Sequence, residues 1–383
     1  MFEAVFWVAF VLLFYTYFGY PALIGLMARR WGKEVRKGDE TPAVSLIVPI
    51  YNGEAYLPQK IDNTLALDYP KERLQLLFVS DGSTDRTGEL LEGARGQGIE
   101  PIVLPQRVGK SAAQNAALGR ATGEILVFCD GAVYLRPDSL RKLVRNFSDP
   151  QVACVSGQDQ SVSGEAGGTT ESAGLYTRYE IRIRNWEMRI STLFVVGGCF
   201  YGVRRALREP LEPWQADDLL VPLRLAKRGY RVVCDDEAIA EVRRSKDMAT
   251  EFRRRVRTFL NGINVFFVER DILNPVKFGL LAFQFWSHKL LRWLVPLLMV
   301  LLFFANAALL KRGGGYPVFF AGQIFFYSLA AAGLLATRKG WSLPAQRLFN
   351  VASFLCLVNS AIAVAWWQAL GGRREATWEP TRR

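Results

Sequence analysis

The sequence predicts an α/β fold for the central part of the chain, with membrane helices on both sides of it. Short runs of β-favouring apolar residues alternate there with helix-like segments. Such alternation is typical of a parallel sheet whose strands are joined by crossover helices. The predicted strands are residues 44–50, 74–79, 102–104 and 125–128, and the predicted helices between them are 56–67, 87–95 and 111–119.

The N-terminal segment 5–27 is almost unbroken apolar sequence. A helix needs about 20 such residues to cross the hydrocarbon core, so we expect a transmembrane helix over residues 1–28. Basic residues follow at once, and because basic loops stay inside, the next segment is expected in the cytoplasm. A cleaved signal peptide is the weaker alternative, since no small-residue cleavage site follows the run. The basic residues are Arg29, Arg30, Lys33, Arg36 and Lys37.

Three more apolar segments predict a C-terminal transmembrane region over residues 290–370. The segment 251–289 before it mixes apolar residues with lysine and glutamine, which favours interfacial amphipathic helices. The side of the C-terminus stays open. Three crossings, the preferred interpretation, place it outside, whereas the arginines of the basic tail 371–383 favour the cytoplasm. The three apolar segments are 290–310, 318–336 and 351–370.

Composition and charge bound the chemistry. Half of the 383 residues are apolar, enough for a sizeable core, and the formal net charge is +12. Such an excess suits nucleic acid, an anionic membrane surface or a phosphorylated substrate. No basic patch with interleaved aromatic residues stands apart from the membrane flanks, so no nucleic-acid partner is expected. The single histidine, His288, excludes a histidine-based triad and a multi-histidine metal site.

Functional side chains follow three of the predicted strands. Tyr51 comes after the first strand, Asp81 after the second and Asp130 after the fourth. Ligands of parallel sheets bind outside the carboxyl ends of the strands, so we expect these residues to share one edge. The ring can stack on a nucleobase, Asp81 can accept from a base N–H, and Asp130 can hold a divalent cation on a diphosphate. Lys110, at a loop-to-helix junction, is suited to a phosphate.

Each of these residues also has a structural explanation. The segment 80–85, SDGSTD, is compatible with a simple turn. Lys110 alone is compatible with a solvated surface lysine, and Asp130 with a helix cap. The convergence of three strand ends on one predicted edge favours a binding site.

The ordered motifs resemble those of family 2 glycosyltransferases with the GT-A fold. They are VSLIVPIYN at 44–52, SDGSTD at 80–85, GKSAAQN at 109–115 and FCD at 128–130. The membrane flanks make the chain similar to the branch of hyaluronan, chitin and cellulose synthases, and the resemblance covers nearly the whole chain. It implies a GT-A, Rossmann-like mixed sheet in a catalytic domain over residues 29–250.

The resemblance also implies roles for single residues. Tyr51 and Asp81 are expected to contact the uracil of a UDP-sugar, Lys110 to lie beside the nucleotide, and Asp130 to hold Mg²⁺ or Mn²⁺ on the diphosphate. In WQADDL at 214–219, Asp218 is the expected general base, and Asp217 is expected to face the acceptor. A helix N-terminus with favourable dipole contacts is the structural alternative for this acidic pair.

The chain departs from the family pattern at two places. The usual Asp-x-Asp is Asp130-Gly131-Ala132 here, which implies a weaker metal site or a metal-independent or inactive variant. The Gln-x-x-Arg-Trp motif of chain-forming synthases aligns with Arg254, Arg257 and Thr258. Arg254 and Arg257 are expected to contact substrate, Arg257 at the diphosphate; a basic face on anionic lipid is the alternative. The missing tryptophan weighs against processive synthesis.

The sequence therefore predicts an inverting hexosyl- or N-acetylhexosaminyl-transferase of the cell membrane, with its catalytic domain in the cytoplasm. It would move a sugar from a UDP-sugar to a lipid-linked or growing glycan, in exopolysaccharide or glycolipid biosynthesis. A processive synthase that exports its chain is one alternative. A catalytically inactive membrane scaffold that binds nucleotide sugar is another. Membrane lipids are expected partners, and a homo-oligomer is compatible with the sequence.

Overall fold

The structure is a computed structural model that describes residues 1–161, 168–242, 248–341 and 343–375. Residues 376–383 of the predicted basic tail, which include Arg382 and Arg383, lie outside the described residues.

The described strands form one eight-stranded sheet of mixed direction, in the order β3-β2-β1-β4-β7-β6-β8-β5. The half that contains β3, β2, β1 and β4 is parallel, as the strand–helix alternation predicts. Strand β7 pairs antiparallel with β4 and β6, while β6 and β8 are parallel. The strands are β1 Val44–Ile50, β2 Leu74–Ser80, β3 Ile99–Val103, β4 Ile125–Cys129, β5 Val133–Leu135, β6 Val152–Ser161, β7 Phe200–Arg204 and β8 Arg231–Val242.

Helices precede, connect and follow these strands. Those beside the sheet are α3 Leu57–Leu65, α4 Thr87–Gly93, α5 Lys110–Leu118, α6 Ser139–Val144, α7 Gly168–Ile190 and α8 Asp217–Lys227. The N-terminal helices are α1 Phe2–Phe14 and α2 Tyr20–Trp31, joined by a π-helical turn, Tyr15–Gly19. The C-terminal helices are α9 Met248–Val268, α10 Pro275–Gln284, α11 Leu291–Leu309, α12 Tyr316–Lys339 and α13 Gln346–Leu370.

The sheet is buried on both faces, which is why its first strand reads as a continuous apolar run. All seven residues of β1 are buried. Because side chains alternate along a strand, Ile47 packs into the core that contains α5 and α8, and Leu46 into the core that contains α3 and α6. This double cover fixes the carboxyl ends of β1 and β4 at one edge. We call the sheet with α3 to α8 the sheet domain.

Four helical segments are long and apolar enough to cross a membrane: Phe2–Trp31, Pro275–Arg312, Tyr316–Lys339 and Gln346–Leu370. The second begins inside the segment for which we predicted interfacial helices, 251–289. Of the polar residues that suggested an interface, Gln284 is buried, whereas Lys277 is exposed. A π-helical turn, Phe285–Leu290, joins α10 to α11 without a break.

Helix α12 runs in the same direction as α1. The rings of Phe6 and Phe319 lie 5.6 Å apart, and Leu13 and Phe326, each seven residues further on, line the same apolar groove. Since α1 leads directly into α2 and the sheet domain, α12 also ends on the side of the sheet domain. Helix α13 therefore begins on that side.

The far end of α13 returns to the same side. Near its beginning, the Phe354 ring lies 4.8 Å from the Arg255 guanidinium on α9. Beyond its end, Asn264 on α9 donates a 3.0 Å hydrogen bond to the Arg373 carbonyl. The first half of α13 and the residues after its end thus both contact α9, but α13 is also one of the four segments that are long and apolar enough to cross a membrane, so the three crossings over 290–370 stay a prediction. Hydropathy does not separate a span from an apolar helix that is buried against other helices.

Candidate active site

A cavity of about 1000 Å³ opens at the carboxyl ends of β1 and β4. Its walls come from the loops after these strands, the beginnings of α5 and α8, the middle of α9 and the turn before α11. The lining side chains used below are Tyr51, Arg107, Lys110, Asp130, Ala132, Asp217, Asp218, Arg254, Arg257, Lys289 and Trp293.

Tyr51 lies in the turn after β1, and the Arg107 guanidinium stacks over its ring at 3.9 Å. The turn is anchored by Asn52, whose Oδ1 accepts a 2.8 Å hydrogen bond from the Thr84 amide. A flat cation and an aromatic ring face to face form a surface on which a nucleobase can stack. Sequence reasoning missed Arg107, because no local pattern sets it apart from other loop arginines.

Asp81 does not line the cavity and is 2% exposed. Its carboxylate accepts hydrogen bonds from the backbone amides of Val108, at 2.7 Å, and Gly109, at 3.0 Å. The loop at 106–109 approaches Gly82 so closely that a Cβ on this residue, whose φ is +59°, would lie 2.2 Å from the backbone nitrogen of Arg107. The structure therefore shows Asp81 holding the loop between Arg107 and Lys110, whereas we expected it to face the base.

Lys110 is the first residue of α5 and reaches across the cavity to β4. Its ammonium lies 2.9 Å from Asp130 Oδ1 and 3.8 Å from Asp217 Oδ2, and it donates a 2.9 Å hydrogen bond to the Gly198 carbonyl. Burial alone would lower the pKa of Lys110, but Asp130 and Asp217 outweigh it and raise the pKa above its usual range. The lysine is therefore a fixed cation at neutral pH.

The acidic pair begins α8, and its two members have different surroundings. Asp217 Oδ2 accepts 2.9 Å hydrogen bonds from both Gln114 and Tyr201. Burial alone would raise the pKa of Asp217, but Lys110 and these two hydrogen bonds lower it. Asp217 is thus an ionised, internally held group, although its side chain still borders the cavity that we expected it to share with an acceptor.

Asp218 presents a reactive carboxylate to the cavity. Burial and the neighbouring charge of Asp217 raise the pKa of Asp218 to about 6. The backbone at Gly198 comes so close that a Cβ there would lie 2.9 Å from Asp218 Oδ2. Asp130 also acts on Asp218 electrostatically, which brings the two acids predicted for one pocket into the same charged cluster. A carboxylate with a pKa near 6 is suited to general base catalysis.

The wall of the cavity that α9 and the segment Pro275–Arg312 form is basic. Arg254 and Arg257 lie one turn apart on α9, and Arg254 pairs with Glu251 at 2.8 Å. Lys289 and Trp293 line the same wall from the helical segment that includes α11. Sequence reasoning missed these two, since a lysine and a tryptophan beside an apolar run are ordinary features of a membrane boundary.

A divalent cation, which the family resemblance implies at Asp130, fits this site in one way only. Within the described ranges, no group of three or more histidine, cysteine, aspartate or glutamate side chains could hold a metal ion. Asp130 faces the cavity with 30% of its side chain exposed. Mg²⁺ often binds through one or two carboxylates together with substrate phosphates. Asp130 can therefore hold an ion jointly with a diphosphate, but the described residues offer no complete set of ligands.

The fold is that of the GT-A glycosyltransferases. The family model described as "Glycosyl transferase family 2" matches residues 45–210, which are less than half of the chain. The match spans the sheet from β1 past β7 and contains Tyr51, Lys110 and Asp130.

Several curated proteins are similar to part of the chain. The poly-beta-1,6-N-acetyl-D-glucosamine synthase of Staphylococcus aureus is 24% identical over 250 residues, which are 62% of this chain and 58% of the relative. The probable glycosyltransferase YdaM of Bacillus subtilis is 24% identical over 242 residues, 60% of this chain and 56% of the relative. The chain thus spans less than two thirds of the length of these relatives.

One solved structure is similar over nearly the whole chain. It is the mannosyltransferase PcManGT from Pyrobaculum calidifontis in complex with GDP-Man and Mn²⁺. It is 22% identical, with a TM-score of 0.71, and the match covers 97% of this chain and 100% of that protein. At this level of identity the similarity shows a common fold, which includes the flanking helices.

Proposed function

We propose that the protein is an inverting glycosyltransferase that moves a single sugar from a UDP-sugar to an acceptor borne by a membrane lipid. The transfer would take place at the cytoplasmic face of the cell membrane, in exopolysaccharide or glycolipid biosynthesis. The observation that carries the proposal is the placement of Asp218, a carboxylate with a pKa of about 6, in the cavity that also contains Lys110 and Asp130.

The donor would lie along the edge formed by β1 and β4. The base would stack on Tyr51 and Arg107, and the diphosphate would meet the Lys110 ammonium. The GDP-Man and Mn²⁺ of the Pyrobaculum calidifontis structure support a nucleotide sugar with a divalent ion in this fold. Asp130 would hold Mg²⁺ or Mn²⁺ here, and the ion would offset the negative charge that grows on the departing diphosphate.

Transfer requires a base, a fixed cation and an acceptor hydroxyl in line with the sugar. Asp218 would take the proton of the acceptor hydroxyl as that oxygen attacks the anomeric carbon from the side opposite the diphosphate, which inverts the configuration. Lys110 would stabilise the charge that develops on the leaving group. Asp217, already held by Gln114 and Tyr201, would keep the beginning of α8 in place.

The acceptor would enter from the membrane side. Lys289 and Trp293 belong to the segment Pro275–Arg312, which is long and apolar enough to cross a bilayer, and both line the cavity. Thr258 stands on α9 where chain-forming synthases carry tryptophan, and this supports transfer of one sugar or a few in preference to processive synthesis. The basic residues that follow α2 support the cytoplasmic side for the sheet domain.

The proposal is tested with purified protein in a mild detergent, a membrane lipid extract as acceptor, Mn²⁺, and a panel of UDP- and GDP-sugars. Released nucleotide is measured for the parent and for Asp218→Asn. Asp138→Asn is the matched control, since Asp138 is exposed and pairs with Lys142 on α6. We expect nucleotide release with one UDP-sugar. The rate of release should fall by about a hundredfold or more in Asp218→Asn and should not change in the control. No release from any donor would favour the inactive scaffold, and release that is unaffected in Asp218→Asn would contradict the role of Asp218 as the base.

A further inference from the structure

We propose that Lys289 marks a second anion subsite, which binds the phosphate that links the acceptor to its lipid. This inference rests on the proposed function and narrows its acceptor to a phosphate-linked lipid. Lys289 lies in the π-helical turn Phe285–Leu290 and lines the cavity from the membrane side. The phosphate would be bound there while the acceptor hydroxyl reaches Asp218.

Lys289 has no counter-ion among the described residues. None of the described residues forms a hydrogen bond or an ion pair with its ammonium, and the charged groups that act on it are Arg184, Glu187 and Asp218. Arg184 carries the same charge. Glu187 is already engaged, since its carboxylate oxygens lie 2.9 and 3.0 Å from His288 Nδ1. An ammonium partly withdrawn from water is stabilised when a ligand supplies the missing anion.

Two other cations of the same cavity are paired, whereas Arg257 on α9, like Lys289, forms no ion pair with the described residues. Lys110 lies 2.9 Å from Asp130, and Arg254 lies 2.8 Å from Glu251. A donor diphosphate at Lys110 therefore has an attachment point that is separate from Lys289. Both lysines act electrostatically on Asp218. Each of them lowers the pKa of Asp218, although burial and Asp217 raise it more strongly. The base is thus flanked by two cations that can hold the two substrates.

A buried ionic network fixes the turn that presents Lys289. His288 Nε2 lies 3.1 Å from Glu180 Oε2, and His288 Nδ1 faces Glu187. Both ring nitrogens thus face carboxylate oxygens of α7, which holds the imidazole ring in one orientation. Arg292, one turn further along, also pairs with Glu180. A π-helical turn held in this way from α7 is a preorganised support for a binding residue.

The position of Lys289 favours a lipid-linked phosphate. The segment Pro275–Arg312 is long and apolar enough to cross a bilayer, and Lys289 lies inside the stretch whose side chains reach the cavity. A ligand that enters along this helix brings its apolar tail from the membrane, and its phosphate arrives first at the basic wall. A free sugar phosphate lacks the apolar tail that would lie along the adjoining helix.

The test uses the full chain in a neutral detergent and undecyl phosphate as the probe, with undecanol for comparison. Binding is measured by calorimetry for the parent, Lys289→Gln, Lys289→Arg and Lys311→Gln. Lys311 is the matched control, since it is exposed at the other end of the same helix. We expect undecyl phosphate to bind the parent, Lys289→Arg and the control, and to bind Lys289→Gln about tenfold or more weakly. Equal affinity for the parent and Lys289→Gln would overturn the proposal.

Two further arms identify the source of the phosphate. Phosphatidylglycerol that displaces the probe as well as excess undecyl phosphate does would make the subsite one for bulk phospholipid headgroups, and would overturn the acceptor assignment. UDP that displaces it would assign Lys289 to the donor instead, with the same consequence. UDP binding to Lys289→Gln also shows that this variant is folded. Absence of UDP binding to the parent would contradict the proposed function while leaving the alkyl phosphate result valid.

Discussion

The Lys110 ammonium lies 2.9 Å from Asp130 Oδ1, the carboxylate to which the family resemblance assigns a metal ion beside the donor. The residue two positions later, where a second acid would stand in relatives with Asp-x-Asp, is Ala132, and its side chain also lines the cavity. A lysine and a metal ion therefore share one carboxylate. The negative charge of the diphosphate would be neutralised in part by Lys110, which is fixed, and in part by the metal ion, which can exchange.

Restoring the second acid should tighten metal binding. Ala132→Asp adds a carboxylate beside Asp130, and the affinity of a site for a hard cation rises with the number of charged oxygen ligands. We expect the Mn²⁺ concentration for half-maximal sugar transfer to fall by about tenfold. The matched control is Ala132→Asn, which adds similar volume without charge and should change this concentration much less. An unchanged metal requirement in Ala132→Asp would show that the ion lies away from Asp130.

Activity should depend on the ionisation of Asp218. The pKa of this carboxyl is raised to about 6, and only its deprotonated form can accept a proton from the acceptor hydroxyl. We therefore expect kcat/KM to rise by about tenfold per pH unit below pH 6 and to level off above it, since this ratio reports the pKa of the free enzyme. The profile of Asp138→Asn should match that of the parent. A profile that stays flat from pH 4.5 to 8 would contradict the role of Asp218 as base.

Substitution of Asp81 should weaken the binding of different nucleotides to the same extent. Its carboxylate accepts hydrogen bonds from the amides of Val108 and Gly109 and so holds the loop between Arg107 and Lys110. In Asp81→Asn one of these amides would face an amide nitrogen, which costs about 1–3 kcal/mol for a buried unsatisfied group. We expect about tenfold weaker binding of both UDP and GDP, measured by calorimetry. A loss confined to UDP would instead support direct contact with uracil, as the family resemblance implies.

The C-terminus should lie on the same side of the membrane as the sheet domain. Beyond α13, the Arg374 guanidinium lies 4.4 Å from the Trp214 ring, and Glu375 lines the cavity. An epitope appended after residue 383 should be digested in inverted membrane vesicles, together with an epitope inserted between α2 and β1. An epitope inserted between α11 and α12, near Gly314, is the control and should be protected. Protection of the C-terminal epitope would mean that α13 crosses the membrane.

The parts of the fold that follow from local pattern could be predicted from the sequence. Apolar runs that end on Tyr51 and Asp130 predicted the parallel half of the sheet and its functional edge. The antiparallel partners of this half are a different case, because β7 lies between β4 and β6 through contacts with residues far away in sequence. Only the family resemblance predicted a mixed sheet.

The site residues show a similar division. Whether Asp81 faces a ligand or backbone amides depends on the path of the loop at 106–109, which no spacing in the sequence reveals. The interfacial helix expected over 251–289 has the same explanation, because the carboxylates that surround His288, those of Glu180 and Glu187 on α7, lie about a hundred positions earlier. A buried charge network that joins such distant segments has no local signature.

The central claim is that one cavity holds the donor diphosphate at Lys110 and Asp130 and the catalytic carboxylate at Asp218. A cryo-electron microscopy structure of the full chain with UDP and Mn²⁺ tests it most directly. The account predicts the diphosphate within hydrogen-bond distance of the Lys110 ammonium, a metal ion between it and Asp130, and Asp218 facing the space next to the terminal phosphate. A nucleotide bound elsewhere, or a diphosphate turned away from Lys110 and Asp218, would contradict it.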